Sequence, residues 1–199
     1  IYTVATYGNG LLMQEYLSQG YFNNNISAFN TYTQSRWSIR TNGNYLPYTG
    51  SYPDYSEIRV TGYFKPTTSE SYTFSLISDD GAYLYVGSAG QSIGSLTTNL
   101  QSSSNPYGVL TPVVDDGGLH GSSTARGSVA LTAGQLYPIA IYFGENGGIS
   151  ELTMSYSSPT IAATSSLNNF YGSSPNSGQV SFTGNVSLLK NVNISSTPN

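Results

Sequence analysis

The chain contains no cysteine and carries little charge of either sign. Without cysteine there are no disulfides, no thiolate nucleophile and no Cys-ligated zinc. Lys and Arg together number only 6 in 199 residues. That is too few to neutralise a row of phosphates, which excludes nucleic acid as a partner and argues against an anionic membrane surface. No apolar run reaches the roughly 18 residues that a membrane-spanning helix needs, so no membrane insertion is expected. Charged residues make up 8% of the chain, against roughly 25% in an average soluble domain. Ser, Thr, Asn, Gly and Tyr take their place, with 13% aromatics, 18 Tyr and 22 Gly. Disordered chains are poor in aromatics and dense in charge, so this composition predicts a folded chain. A hydroxyl-rich, weakly charged surface is common among extracellular β proteins, and an extracellular, cell-surface location is expected. The chain opens on Ile1 rather than Met, without a signal peptide, and reads as processed or partial.

Apolar residues recur with a period of two, the mark of half-buried strands. Ile58, Val60 and Phe64 alternate with polar neighbours, as do Tyr72, Phe74 and Leu76, and then Ala82, Leu84 and Val86. Val129 with Leu131, Ile139 with Ile141 and Phe143, and Leu152 with Met154 and Tyr156 continue the series. Turn residues separate the runs at Lys65-Pro66, Asp80-Gly81, Ala133-Gly134 and Gly147-Gly148. The pattern predicts an all-β fold, an antiparallel β-sandwich or barrel with long loops. Only Gly10–Gln19 could carry a helix. Gly87 to Arg126 reads as a long irregular stretch, and Ser157–Gly178 as a linker or crossover. The expected organisation is a β domain over residues 1–160, a linker or crossover over 161–178, and a C-terminal strand over 179–199.

That last segment places Val180, Phe182, Val186, Leu188, Val192 and Ile194 on even positions. As one continuous strand it would reach about 50 Å, and it would need a sheet edge in its own chain or a neighbouring copy. A homo-polymer built through this strand, a fibre or sheath subunit, is therefore one functional expectation.

Four of the 10 acidic residues form two Asp-Asp-Gly tripeptides, at Asp79-Asp80-Gly81 and Asp115-Asp116-Gly117. Adjacent side chains of an extended chain point to opposite faces. Aiming two neighbouring carboxylates at one point requires a sharp turn or a cis peptide, and a divalent cation offsets the repulsion between them. Calcium suits this chemistry, since it takes oxygens from carboxylates, carbonyls and waters in loose geometry. Spacing alone is a weak signal for a metal and favours an exposed turn.

The segments Val60–Gly87 and Gly127–Pro159 carry G-Y-F-x-P, S-Y-T-F, S-D-D-G-A-x-L-Y, L-x-A-G-x-x-Y-P-I and F-x-E-N-G-G in order. This series resembles the protective-antigen-type β-barrel module of bacterial surface proteins and of the flocculin and GLEYA adhesins. The resemblance covers residues 1–160, most strongly 58 to 159, with Gly10–Phe22 in the place of the opening strand. It implies a β-sandwich whose loops bind carbohydrate through Ca2+. It further implies that Asp79 and Asp80 chelate the ion across a cis peptide. Asn146 would add its side chain, and the segment Gly147 to Ile149 its carbonyls. Sugar hydroxyls would complete the coordination, with Glu145 and Tyr107 among the carbohydrate contacts. The chain lacks the cysteines and the second-loop Trp of the fungal members, and the Trp of many bacterial members near Asp115–His120.

The remaining candidates read as structural. Asp115-Asp116 is expected to be a solvated turn. His120, the sole histidine, stands without a G-x-S-x-G or similar nucleophile motif and is assigned to loop stabilisation. Glu145 and Glu151 could pair as carboxylates for glycoside hydrolysis, but with the aspartates occupied by metal no enzyme activity is expected. Trp37, Tyr45, Tyr48, Tyr52 and Tyr107 could stack on sugar faces. Leu46-Pro47-Tyr48-Thr49-Gly50 matches a sorting signal by coincidence, lying mid-domain. Sequons at Asn25, Asn185 and Asn193 are glycosylation candidates. Taken together, the sequence predicts a calcium-dependent, carbohydrate-binding, lectin- or adhesin-like module.

Overall fold

A computed structural model describes residues 10–40, 48–50, 52–102 and 110–172. The segment 179–199, together with Tyr45, Tyr107, Asn185 and Asn193, lies outside the described residues. Along the chain run β1 (Leu11–Tyr16), β2 (Arg36–Arg40), β3 (Tyr48–Gly50), β4 (Ser56–Phe64), β5 (Glu70–Asp79) and β6 (Ala82–Val86). Helix α1 (Ile93–Gln101) follows, and then β7 (Val114–Asp116), β8 (Ser123–Leu131), β9 (Tyr137–Glu145), β10 (Ser150–Ser158), β11 (Ile161–Thr164) and β12 (Phe170–Tyr171).

The strands form two antiparallel sheets, as the period-two runs predict. One has seven strands in the order β2-β1-β4-β9-β6-β7, with β12 also on β4. The other has five in the order β11-β10-β5-β8, with β3 also on β10. Their facing sides bury the predicted residues: Ile58, Val60, Phe74, Leu76, Leu84, Ile139, Ile141 and Phe143 are each 0% exposed. Phe64 packs edge-to-face against Tyr72, Phe74 and Tyr156, which adds to the area term that drives the sandwich together.

A second core covers the other side of the seven-stranded sheet. Tyr83, Tyr85 and Tyr142 project away from the sandwich interior and are buried against Tyr16, Phe22, Phe29, Leu96 and Leu100. Phe22 precedes, and Phe29 belongs to, a short 3-10 turn at Ile26–Asn30, where Asn25 caps the turn through its side chain. This layer explains why β4, β6 and β9 are buried on both faces.

Three expectations are corrected. Gly10–Gln19 carries strand β1, the opening strand that the resemblance implies, rather than the helix the stretch could have carried, because Leu11 and Met13 point into the sandwich while Tyr16 joins the outer layer. The stretch from Gly87 contains α1, whose Ile93, Leu96 and Leu100 repeat at helical spacing and whose Ser92 accepts from the Ser95 N–H as N-cap. The expected linker carries β11 and β12 up to Tyr171, with Leu167 and Phe170 buried, so the fold runs past residue 160. Strand β12 continues the line of β1 along β4: Phe170 stands opposite Phe64, and the Gly10 N–H donates to the Phe170 carbonyl at 2.8 Å.

Candidate functional site

β5 ends at Asp79 in one sheet and β9 ends at Glu145 in the other, and the two ends meet at one pole of the sandwich. The Asp79–Asp80 peptide bond is cis. One carboxylate oxygen each from Asp79, Asp80 and Glu145 lies within 4.8 Å of the others. The two aspartates therefore converge on one point.

Asp80 holds both flanking loops. Its Oδ1 accepts from the His120 N–H at 2.9 Å, and its Oδ2 from the Asn146 N–H at 3.0 Å. Behind it, Tyr21 donates to the Gly118 carbonyl at 2.8 Å, and Asn24 Oδ1 accepts from the Gly118 N–H at 3.0 Å. Glu145 is 0% exposed. Its Oε1 accepts from the Gly147 N–H at 2.6 Å, while Oε2, also buried, has no hydrogen-bond partner. Full burial does not fit the sugar contact expected at Glu145; its carboxylate sits with the aspartates instead. Asn146 is half-buried beside them, and Gly147 and Ile149 are exposed on the same loop.

The electrostatics of this pole are unfavourable for bare acids. Burial, then the charge of Asp80, pushes the Asp79 carboxyl up. Burial pushes Glu145 up to about 7, with Asp80, Asp79 and Asp54 adding to it. Asp54 lies against the second loop, its carboxyl carbon 3.4 Å from where a Cβ on Gly147 would sit. A cation among hard oxygen donors reverses both effects, and an all-carboxylate and carbonyl donor set suits calcium. The orphaned Oε2 of Glu145, on a residue grouped with two further carboxylates, is the observation that fits an ion here.

Asp115-Asp116 does not behave as a solvated turn at both positions. Asp115 is exposed and accepts from the Gly117 N–H. Asp116 closes β7, is half-buried, and accepts from Ser78 Oγ at 2.6 Å and Ser123 Oγ at 2.7 Å. His120 places Nε2 3.0 Å from the Asp116 carbonyl and Nδ1 3.0 Å from the Gly121 carbonyl. Both contacts are satisfied together only when both nitrogens carry protons. Burial lowers its affinity for that proton, but the two carbonyls and the charges of Asp116 and Asp80 outweigh it, so the imidazole is held above its ordinary range. Ser123 Oγ lies 3.4 Å from Nδ1 yet donates to Asp116. A ring that donates on both sides activates no nucleophile, and His120 pins the loop instead.

Around the carboxylates, Tyr55, Leu119 and Ile149 are 51%, 60% and 75% exposed. Among the stacking candidates, Trp37 is exposed on β2, away from this pole, and Tyr52 is buried in the sandwich. Asp54, Tyr21 and Asn24 carry no sequence signal for this pole. Glu145 did carry one: it continues the core-facing series Ile139, Ile141, Phe143, where an acid is out of place.

The epithelial adhesin 6 A domain of Candida glabrata, solved in complex with Galb1-3GlcNAc, is similar in fold. It shows a TM-score of 0.63 at 16% identity over 90% of this chain and 96% of that one. The PA14 sugar-binding domain from an RTX adhesin gives 0.59 at 16% identity, over 83% and 99%. The PA14 domain of the antifreeze protein MpAFP gives 0.59 at 15%, over 89% and 96%. No curated protein matches the chain. The PA14 domain model matches residues 8–169, which spans both sheets, the Asp79-Asp80 turn and the second loop, and the chain belongs to the PA14 domain family.

Proposed function

We propose that this chain is an extracellular module that binds a saccharide through calcium held at the Asp79–Asp80 pole. The convergence of those two consecutive carboxylates beside the Asn146 loop carries the reading. Asp79 and Asp80 would hold the ion, with Asn146 and carbonyls of Gly147–Ile149 on the outer side. When bound, calcium supplies a positive point at which a pair of vicinal hydroxyls can replace water. Asp80 fixes both loops through backbone N–H groups, so the donors stand preorganised and little ordering is needed on binding. Tyr55, Leu119 and Ile149 offer apolar surface for the carbon face of a sugar ring. The sugar-bound and sugar-binding adhesin domains that share this fold support the same reading. Single-site affinity is expected to be weak, with avidity from many copies on a surface.

Glycan-array binding with calcium and with chelator tests it. The expected outcome is binding that chelator and Asp80→Asn each abolish; binding that survives both overturns the reading. A second reading, assembly by strand addition, draws on β2, which pairs only with β1 among the described strands and exposes Trp37 at 58%. Trp37 is the sole tryptophan, so an emission spectrum unchanged by deleting 179–199 would speak against that segment covering it.

A further inference from the structure

The calcium reading leaves the buried end of Glu145 and the charge of the whole pole unaccounted for. Glu145 enters from the core side, in phase with Phe143, and its Oε2 is 0% exposed and without a hydrogen bond. A carboxylate oxygen of Glu145 lies within 4.8 Å of one from each of Asp79 and Asp80. Two further acids flank the three. Glu151 stands opposite Asp79 in the β10–β5 ladder and accepts from Ser122 Oγ at 2.6 Å. Asp54 presses on the loop at Gly147. None of the contacts described at this pole involves Lys or Arg, and the His120 ring is turned to the Asp116 and Gly121 carbonyls.

Resting on the calcium reading, we propose that Glu145 is a third carboxylate on the ion, and that the loaded site stays anionic and takes uncharged saccharides in preference to acidic ones. Three carboxylates around one divalent cation leave an excess negative charge, and Asp54 and Glu151 add to it at the rim. A neutral sugar brings only hydroxyls to the ion. A uronate or sialylated sugar brings a carboxylate into a field of its own sign, with no Lys or Arg among the contacts described at this pole to receive it and the His120 ring committed to two carbonyls, and like-charge juxtaposition is an effective means of rejecting a ligand.

The test has a metal arm and a sugar arm, both on the full chain. Calorimetric titration with calcium chloride should show uptake by the wild type. Affinity should fall by roughly tenfold to a hundredfold in Glu145→Gln and by less in Asp54→Asn/Glu151→Gln. Glu145→Asp, which keeps the charge but shortens the reach, should also weaken uptake. Should neither Glu145 variant fold, a terbium- or calcium-loaded wild-type crystal decides, with Glu145 Oε2 expected at about 2.3–2.6 Å from the ion. Equal affinity in a folded Glu145→Gln, or an ion beyond bonding distance of Oε2, overturns the third ligand while leaving the calcium reading intact. Absence of calcium uptake by the wild type overturns that reading and this one with it. In the sugar arm, a neutral oligosaccharide and the same glycan capped with an acidic sugar are compared in calcium. A neutral preference of about tenfold or more, narrowed in Asp54→Asn/Glu151→Gln, is expected. Equal binding, preference for the acidic glycan, or binding of neither overturns the selectivity.

Discussion

Glu57 stands directly opposite Gly144 in the β4–β9 ladder, and the bare α-carbon of Gly144 is what makes room for the buried carboxyl. A Cβ at Gly144 would come within 2.4 Å of Glu57 Oε2 and within 2.5 Å of the Phe22 ring. Neither neighbour can withdraw freely: Glu57 Oε1 accepts from the Phe22 N–H at 2.8 Å, and Phe22 packs against Phe29 and Tyr83.

Gly144→Ala should therefore destabilise the fold by about 1–3 kcal/mol, the usual range for overfilling a packed site. Urea denaturation of the variant against the wild type measures this. A stability within about 0.5 kcal/mol of the wild type, the range of neutral surface changes, would show that the outer layer yields.

Burial pushes the Glu57 carboxyl up to about 10, opposed by the hydrogen bond from the Phe22 N–H and reinforced by the charge of Glu145. In the unfolded chain the same group titrates near about 4.3. The folded protein thus keeps a proton that the unfolded chain gives up. The stability this provides is complete below the unfolded value and declines as pH climbs toward 10. Glu57→Gln removes the titration. Denaturation midpoints compared at pH 5 and pH 9 should show a smaller fall for Glu57→Gln than for the wild type. Parallel falls in the two proteins would contradict the burial argument.

Asp116 receives two serine hydroxyls, from Ser78 and Ser123, and its carbonyl receives the His120 ring. Asp116→Ala should cost about 1–3 kcal/mol by leaving both hydroxyls without their acceptor. Asp116→Asn, which retains one acceptor oxygen, should cost less. Hydrogen exchange should quicken at the His120 amide, whose partner is Asp80. Identical exchange there in both variants and the wild type would separate Asp116 from the loop it is said to hold.

Strands β5 and β10 were legible because each buries one face and alternates accordingly. Tyr72, Phe74 and Leu76 on β5, and Leu152, Met154 and Tyr156 on β10, fall in phase and are buried. The outer layer was not legible in the same way. Tyr83, Tyr85 and Tyr142 occupy positions that alternation assigns to solvent, yet the 3-10 turn and α1 cover them. That cover depends on packing between segments far apart in sequence, which no local period records. α1 did leave a local trace in Ser92, Ile93, Leu96 and Leu100, short enough to be lost in a Ser- and Thr-rich stretch. At the site, the Asp79-Asp80 pair was visible as a motif, whereas Asp54 reaches the pole only through the meeting of two sheets.

The alignment of β12 with β1 brings the first and last described strands together at one end of β4. Gly10 and Phe170 are hydrogen-bonded beside Phe64, whereas the Asp79–Asp80 pole lies by Ser56, at the far end of the same strand. About 26 Å of β4 separates the two. The described strands therefore begin and end together at the base of the sandwich, and the acidic tip is carried at the end farthest from that junction.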